Sequence, residues 1–263
     1  MKRVIGTIIL IIAIICFGWS AFSLGKYAWQ AHTTQKNIDQ LADRINTDVT
    51  EASDDSDDSD EEDPVAESEA MMEKYGDLYN ENKDFIGWLS IEGTNINNPV
   101  MYTPDDPEHY LRKNFNGDYD IGGMLFVDSR CTFNPSSTDT IIYGHHMKNG
   151  TMFGSLHQYL DAAYMKEHQY VYVVTPEEEL IYQVFAAVEY DDRHILQSFS
   201  FTEAYGREAY LDSLRKNDGD NDYFREDVEA TENDRLLTLS TCIKNESEKR
   251  LLVEAVLVNE SER

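Results

Sequence analysis

Residues 235–258 read RLLTLSTCIKNESEKRLLVEAVLV: two runs of β-forming residues, Leu236 to Thr241 and Leu251 to Val258, flank a polar seven-residue loop, residues 243–249. Aliphatic and β-branched residues at that density, with turn formers between them, predict an antiparallel hairpin. Cys242 stands where the first strand meets the loop, and a hairpin through that loop returns Arg250 beside the thiol. A thiol at a strand end can be held by a rigid scaffold while still facing substrate.

The same texture extends upstream. Short apolar runs broken by Gly, Pro, Asn and Asp predict further strands at Gly87 to Ile91, Ile96 to Tyr102, Met124 to Val127, Thr140 to Tyr143, Tyr170 to Thr175 and Leu180 to Tyr190. Pro176 with Glu177 and Glu178 makes a turn between the last two. Two inserts have apolar residues at helical spacing, Met152 to His168 and Glu203 to Lys216, and MMEKYGDLYNENKD, starting at Met71, is helix-like through Met72, Tyr75, Leu78 and Tyr79. The folded region therefore begins near Met71 as one β-barrel or sandwich decorated with helices.

The 263 residues carry 22 Lys+Arg against 50 Asp+Glu, a formal charge of −28, with 41% hydrophobic residues. That surplus excludes nucleic acid as a natural partner, since phosphate binding needs clustered cations, while the hydrophobic content excludes global disorder. Eleven of the acidic residues lie in EASDDSDDSDEEDPVAESE, residues 51–69, which holds no Lys or Arg. Its like charges and lack of apolar residues predict a disordered, solvated spacer that holds the folded domain off a membrane surface. It lacks the ligand spacing and fixed Gly of an EF-hand loop.

That membrane is implied by Val4 to Leu24, VIGTIILIIAIICFGWSAFSL, an uncharged apolar run long enough to cross a hydrocarbon core as a helix. It exceeds a signal-peptide core and lacks a clear A-x-A site, so a retained anchor is expected. Met1, Lys2 and Arg3 place the N-terminus in the cytoplasm and the rest outside, and Lys26, Tyr27 and Trp29 fit an interfacial belt. Beyond it, Ile38, Leu41 and Ile45 suggest a short amphipathic stalk over roughly Gln30 to Asp48. The expected organisation is a tail at 1–3, a span at 4–24, a stalk and acidic linker at 25–70, and an extracytoplasmic catalytic domain at 71–263.

Three cysteines, Cys16, Cys131 and Cys242, are too few for a disulfide framework. An unpaired extracytoplasmic thiol calls for an explanation, and nucleophilic catalysis supplies one. Near neutral pH an ordinary thiol is mostly protonated and needs a base. His145 and His146 end the predicted strand Ile141-Ile142-Tyr143-Gly144; on a strand they point to opposite faces, so only one can serve Cys242. Arg250, always charged and carrying five donors, suits a developing oxyanion or a substrate carbonyl. No ligand spacing for a structural metal is present, and no cofactor is implied.

Thr238-Leu239-Ser240-Thr241-Cys242 followed by Arg250 resembles the TLxTC…R signature of sortases, the membrane-anchored cysteine transpeptidases of Gram-positive cell walls. Asn82 to Leu89, Gly93-Thr94-Asn95-Ile96 with Pro99-Val100, Tyr110-Leu111 with Phe115, Gly123 to Asp128, Tyr143 to Met147 and Gly150 to Phe153 resemble class B sortases, in order, over roughly residues 72–258. The resemblance implies a sortase-type eight-stranded β-barrel with N-terminal helices and an additional long helix, for which Glu203 to Lys216 is the candidate, all preceded by one transmembrane helix.

It also implies roles. Cys242 is the nucleophile that cleaves a C-terminal sorting signal after Thr, His145 is the general acid and base, on its match to the first His after Gly, and Arg250 holds substrate and oxyanion. Ser240 and Thr241 are candidate substrate-binding residues, and Cys131 is incidental. The implied partners are secreted proteins carrying the sorting motif, a peptidoglycan cross-bridge amine and the membrane. A pilus-polymerising sortase using a pilin Lys, and an idle membrane-tethered binding protein, are the alternatives. An L,D-transpeptidase is disfavoured because no HGxC-like motif occurs.

Overall fold

A computed structural model describes residues 2–52, 74–131, 137–175, 178–217, 219, 221–244 and 246–258. In chain order the strands are β1 (Phe85–Ser90), β2 (Asn97–Met101), β3 (Leu125–Val127), β4 (Asp139–Tyr143), β5 (Tyr170–Val174), β6 (Glu179–Asp191), β7 (Tyr223–Phe224), β8 (Leu236–Ile243) and β9 (Glu246–Leu257). The helices are α1 (Lys2–Ala52), α2 (74–81), α3 (Ala162–Glu167), α4 (Ile195–Ser198) and α5 (Ala204–Arg215). Two 3-10 segments, His109–Arg112 and Gly154–Leu160, complete the set among the described residues.

The sheet order β5-β1-β2-β3-β4-β8-β9-β6 closes on itself through a β5–β6 ladder, giving an eight-stranded barrel, with short β7 appended to β6. Closure removes the sheet edges that would otherwise need protection. All eight barrel strands coincide with the runs read from the sequence. The 13-residue β6 pairs along one edge with β9 and along the other with β5 and then β7, and its register shifts between Val184 and Ala186. Gly87 allows the close approach of β1 to β5, because a Cβ there would lie 2.4 Å from Val174 O. The core is aliphatic, with Leu89, Val100, Leu125, Ile141, Leu239 and Val253 all fully buried.

The long hairpin is tighter than its sequence suggests. β8 runs on through Ile243 and β9 starts at Glu246, so only residues 244–245 separate the strands instead of seven. The insert at 152–168 divides into the 3-10 segment and α3, where the Asp161 side chain caps by accepting from Ala163 N and Tyr164 N. α5 occupies the insert at 203–216, whereas α4 and β7 have too few residues to give a periodic signal.

The N-terminal half of the chain's organisation differs most from expectation. α1 is one helix of 51 residues. Its first part exposes Ile8, Ile9, Ile12, Phe17 and Leu24, and then Ala31, Thr34, Ile38, Leu41 and Ile45 are buried at alternating spacings of three and four. The Thr34 hydroxyl bonds the Asp120 carboxylate, and Arg44 pairs with Glu81 of α2 at 2.8 Å. Residues 31–45 of the expected amphipathic stalk therefore pack against the folded unit, ahead of the boundary expected at Met71. Ala31 follows Leu24 by seven residues, about 10 Å of helix. The acidic block lies almost wholly outside the described residues, but it follows the packed seam in the chain. The turn expected at Pro176 and Glu177 also lies outside the described residues.

Two carboxylates are enclosed in the barrel wall. Glu254 is fully buried on β9, accepting from Tyr210 Oη at 2.6 Å and Thr238 Oγ1 at 2.9 Å, and burial raises its pKa from an ordinary 4.5 to about 7. Asp139 is buried with neither carboxylate oxygen hydrogen-bonded, and burial first, then the Glu254 charge, pushes its pKa well up. A carboxyl raised on folding contributes stability that is complete below its unfolded pKa and lost as pH climbs through the folded one. Glu254 should therefore cost on the order of 3 kcal/mol between pH 4.5 and pH 7. Melting temperatures should fall from pH 5 to pH 8 more steeply for the wild type than for Glu254→Gln; parallel slopes would show that this carboxyl is not held protonated.

Candidate active site

β8 is paired on both edges, and the two ladders place the candidate residues. On one edge it runs antiparallel to β9, with Cys242 directly opposite Arg250 and Ser240 opposite Leu252. Opposed residues share a face, so the Arg250 side chain is presented on the same side as the thiol. On the other edge β8 runs parallel to β4, ending at Tyr143 opposite Ser240. Gly144 N–H then donates to Ser240 O at 3.2 Å, and Thr241 Oγ1 donates to Gly144 O at 2.8 Å. His145 is thus carried as far beyond Tyr143 as Cys242 lies beyond Ser240.

Gly144 permits this contact. A Cβ at residue 144 would sit 2.5 Å from Leu125 Cδ2 and 2.6 Å from Phe153 Cδ2, so any side chain would push His145 off its strand.

Cys242, Arg250, His145, Ser240 and Leu252 line one cavity of about 830 Å³. Cys242 is exposed, as a nucleophile must be, and all three described cysteines are free thiols. His145 is half-buried, and its Nε2 lies 2.8 Å from Leu111 O. A carbonyl only accepts, so Nε2 carries the proton and Nδ1 keeps the lone pair. Burial lowers the His145 pKa, an effect that Arg112 reinforces and the Leu111 bond opposes, so the ring is neutral near pH 7 and able to accept a proton. Arg250 Nη1 donates to Ser247 O at 2.9 Å and Lys249 O at 2.8 Å, which aligns the guanidinium along its own strand.

His146 faces elsewhere. Its Nδ1 lies 3.1 Å from the carbonyl oxygen of Cys242, and it does not line the cavity. Thr241 is buried, and its bond to Gly144 makes it a strut between the two strands, while Ser240 is buried at the cavity floor. Cys131 is buried, its Sγ accepting from Ile141 N at 3.3 Å, and burial pushes its thiol pKa up. No three His, Cys, Asp or Glu side chains converge as a metal site would require among the described residues.

Other residues at the site were not legible beforehand. Asp128, buried on the same cavity, accepts from Tyr143 Oη at 2.9 Å and lies 3.3 Å from His194 Nε2, which in turn meets Arg130 Nη1 at 2.6 Å. His157 Nε2 lies 3.2 Å from Cys242 O, its ring 4.2 Å from that of His146. Their sequence separations from the residues they meet, 64 between Arg130 and His194 and 85 between His157 and Cys242, leave no local signal.

A family model for the sortase domain matches residues 89–258. A sortase B of Listeria monocytogenes is 31% identical over 184 residues, covering 69% of this chain and 73% of that protein. A sortase B of Staphylococcus aureus is 28% identical over 267 residues, covering 99% of each. The Bacillus anthracis sortase B solved in complex with AAEK1 superposes with a TM-score of 0.69 at 25% identity, over 88% of this chain and 99% of that one. Barrel topology, a thiol and guanidinium opposed across β8 and β9, and these similarities agree: the chain belongs to the sortase family of cysteine transpeptidases, in its class B.

Proposed function

We propose that this sortase cleaves a C-terminal sorting signal after Thr and joins the new carboxyl end to an amine of the peptidoglycan cross-bridge. The observation that carries this reading is the pairing of Cys242 with Arg250 across β8 and β9 on the cavity that also holds His145. His145 Nδ1 takes the thiol proton as Cys242 Sγ attacks the Thr carbonyl carbon, and the oxyanion that forms is met by the Arg250 guanidinium. Collapse breaks the C–N bond; the leaving amine receives the proton from His145, and a thioester remains. An incoming amine then loses its proton to His145 as it attacks the thioester, and the thiolate is released as the amide forms. Glu108 and Asp192 line the same cavity, which suits drawing in an acceptor as an ammonium that gives one proton to solvent before its neutral amine attacks.

The exposed apolar stretch of α1 supports a membrane anchor, with Met1, Lys2 and Arg3 on the cytoplasmic side and the barrel outside. Because α1 is unbroken and packs on the barrel from Ala31, the catalytic unit sits directly at the outer surface.

Activity of the full chain in detergent, read on pentapeptides of the NPQTN, NPxTG and SPxTG kinds, tests the assignments. Cys242→Ala should abolish cleavage and a thiol alkylator should block the wild type; full activity in the alanine variant would overturn the mechanism. His145→Ala should cost about 10³-fold in kcat and His146→Ala far less, with the reverse ranking exchanging their roles. Thr241→Val removes the hydrogen bond to the half-buried Gly144 carbonyl, a loss of about 1 kcal/mol, and should lower Tm and kcat together while Thr241→Ser preserves both. A Thr241→Val variant with wild-type Tm and kcat would remove the strut from the account.

A further inference from the structure

The parallel ladder between β4 and β8 stops before it reaches the residue that carries the thiol. Its last bond is Gly144 N–H to Ser240 O, and a continued parallel ladder would run from Cys242 N–H to Gly144 O and then from His146 N–H to Cys242 O. The backbone makes neither. At His146 the chain turns aside to bridge Met152, which sits at φ 52°, the one non-glycine residue with positive φ among those described. On the opposite edge the β8–β9 register shifts between Cys242 and Ile243. The peptide that follows the thiol is therefore at the frayed end of one ladder and at the irregularity of the other.

Side chains supply what the ladder lacks. His146 Nδ1 and His157 Nε2 approach Cys242 O at 3.1 and 3.2 Å, one for each lone pair, and each nitrogen must carry its proton because a carbonyl only accepts. His157 is held in place by its own element: Phe153, Leu156 and Tyr159 are all fully buried, and Tyr159 Oη donates to His168 O at 2.7 Å.

We propose that His146 and His157 are positioning residues that jointly clamp the Cys242 carbonyl and so hold the sulfur at its attack position between His145 and Arg250. The proposal rests on reading Cys242 as the nucleophile. Neither imidazole touches substrate; both act through the backbone of the residue that does. Small displacements of a nucleophile cost rate more than affinity, so the signature of the clamp is a loss in kcat at nearly constant KM.

The two rings share one acceptor, which makes their removal non-additive. In the full chain, with a cleaved sorting pentapeptide as substrate, His146→Phe and His157→Phe should each lower kcat by about 3-fold, because the partner still satisfies the carbonyl, and the double variant should lose about 30-fold or more with KM within about 2-fold. Asn places Nδ2 where His has Nδ1, and Gln places Nε2 where His has Nε2. The double variant His146→Asn/His157→Gln should therefore recover to within about 3-fold of the wild type. A double Phe variant no slower than the product of the singles, an Asn/Gln pair as slow as the Phe pair, or a loss carried by KM would each overturn the clamp. If the Phe pair fails to fold, His157→Leu against His157→Gln in the His146→Asn background gives the same comparison. Cys242→Ala separates the two levels: activity in that variant refutes the nucleophile itself, whereas an inactive Cys242→Ala beside a fully active double Phe variant refutes only the clamp.

Discussion

The site depends on β8 being paired on both edges at once, antiparallel to β9 and parallel to β4. A hairpin alone would bring Arg250 to Cys242 but could not bring a histidine from residue 145, since that residue follows β4, nearly a hundred positions earlier in the chain. The parallel rung at Ser240 and the Thr241–Gly144 bond perform that long-range step. Closure of the barrel then fixes both ladders, because β4 and β9 are each held from behind, by β3 and β6. Cys242 and Arg250 from β8 and β9, and His145 two residues past the end of β4, are thereby presented to one cavity.

How much of this was legible in the sequence follows from the range of each interaction. The barrel strands were legible because each is a short aliphatic run between turn formers, and Arg250 was placed beside Cys242 because a hairpin is a local structure. The hairpin loop was read too long since Lys249 and Glu248 look like turn residues; they lie within the first part of β9 instead. The preference for His145 over His146 came from a motif and from strand alternation, and the structure adds a reason for both histidines being there: one faces the cavity and the other reaches the carbonyl of Cys242. His157, His194 and the Asp128 network arise from contacts between distant segments, for which no periodicity or spacing exists to be read.

α1 shows the opposite error, a local pattern whose partner was invisible. Ile38, Leu41 and Ile45 are too few for a strong amphipathic signal, and Asp39, Asp43 and Arg44 between them read as a solvated stalk. The deciding contacts are with distant residues, Asp120 and Glu81, so burial of the seam became evident only in the folded chain.

With the span in a bilayer, as proposed, a continuous helix packed on the barrel has a mechanical consequence. A flexible linker would let the catalytic unit sample many distances and orientations, but a helix that is exposed and apolar up to Leu24 and buried in the barrel from Ala31 leaves only about two turns between the two environments. Tyr27 Oη accepts from Lys148 N at 3.3 Å within that interval, so the segment just after His145 and His146 is tied to the helix near the membrane surface. With that span in place, the cavity would hold a fixed height and direction relative to the bilayer.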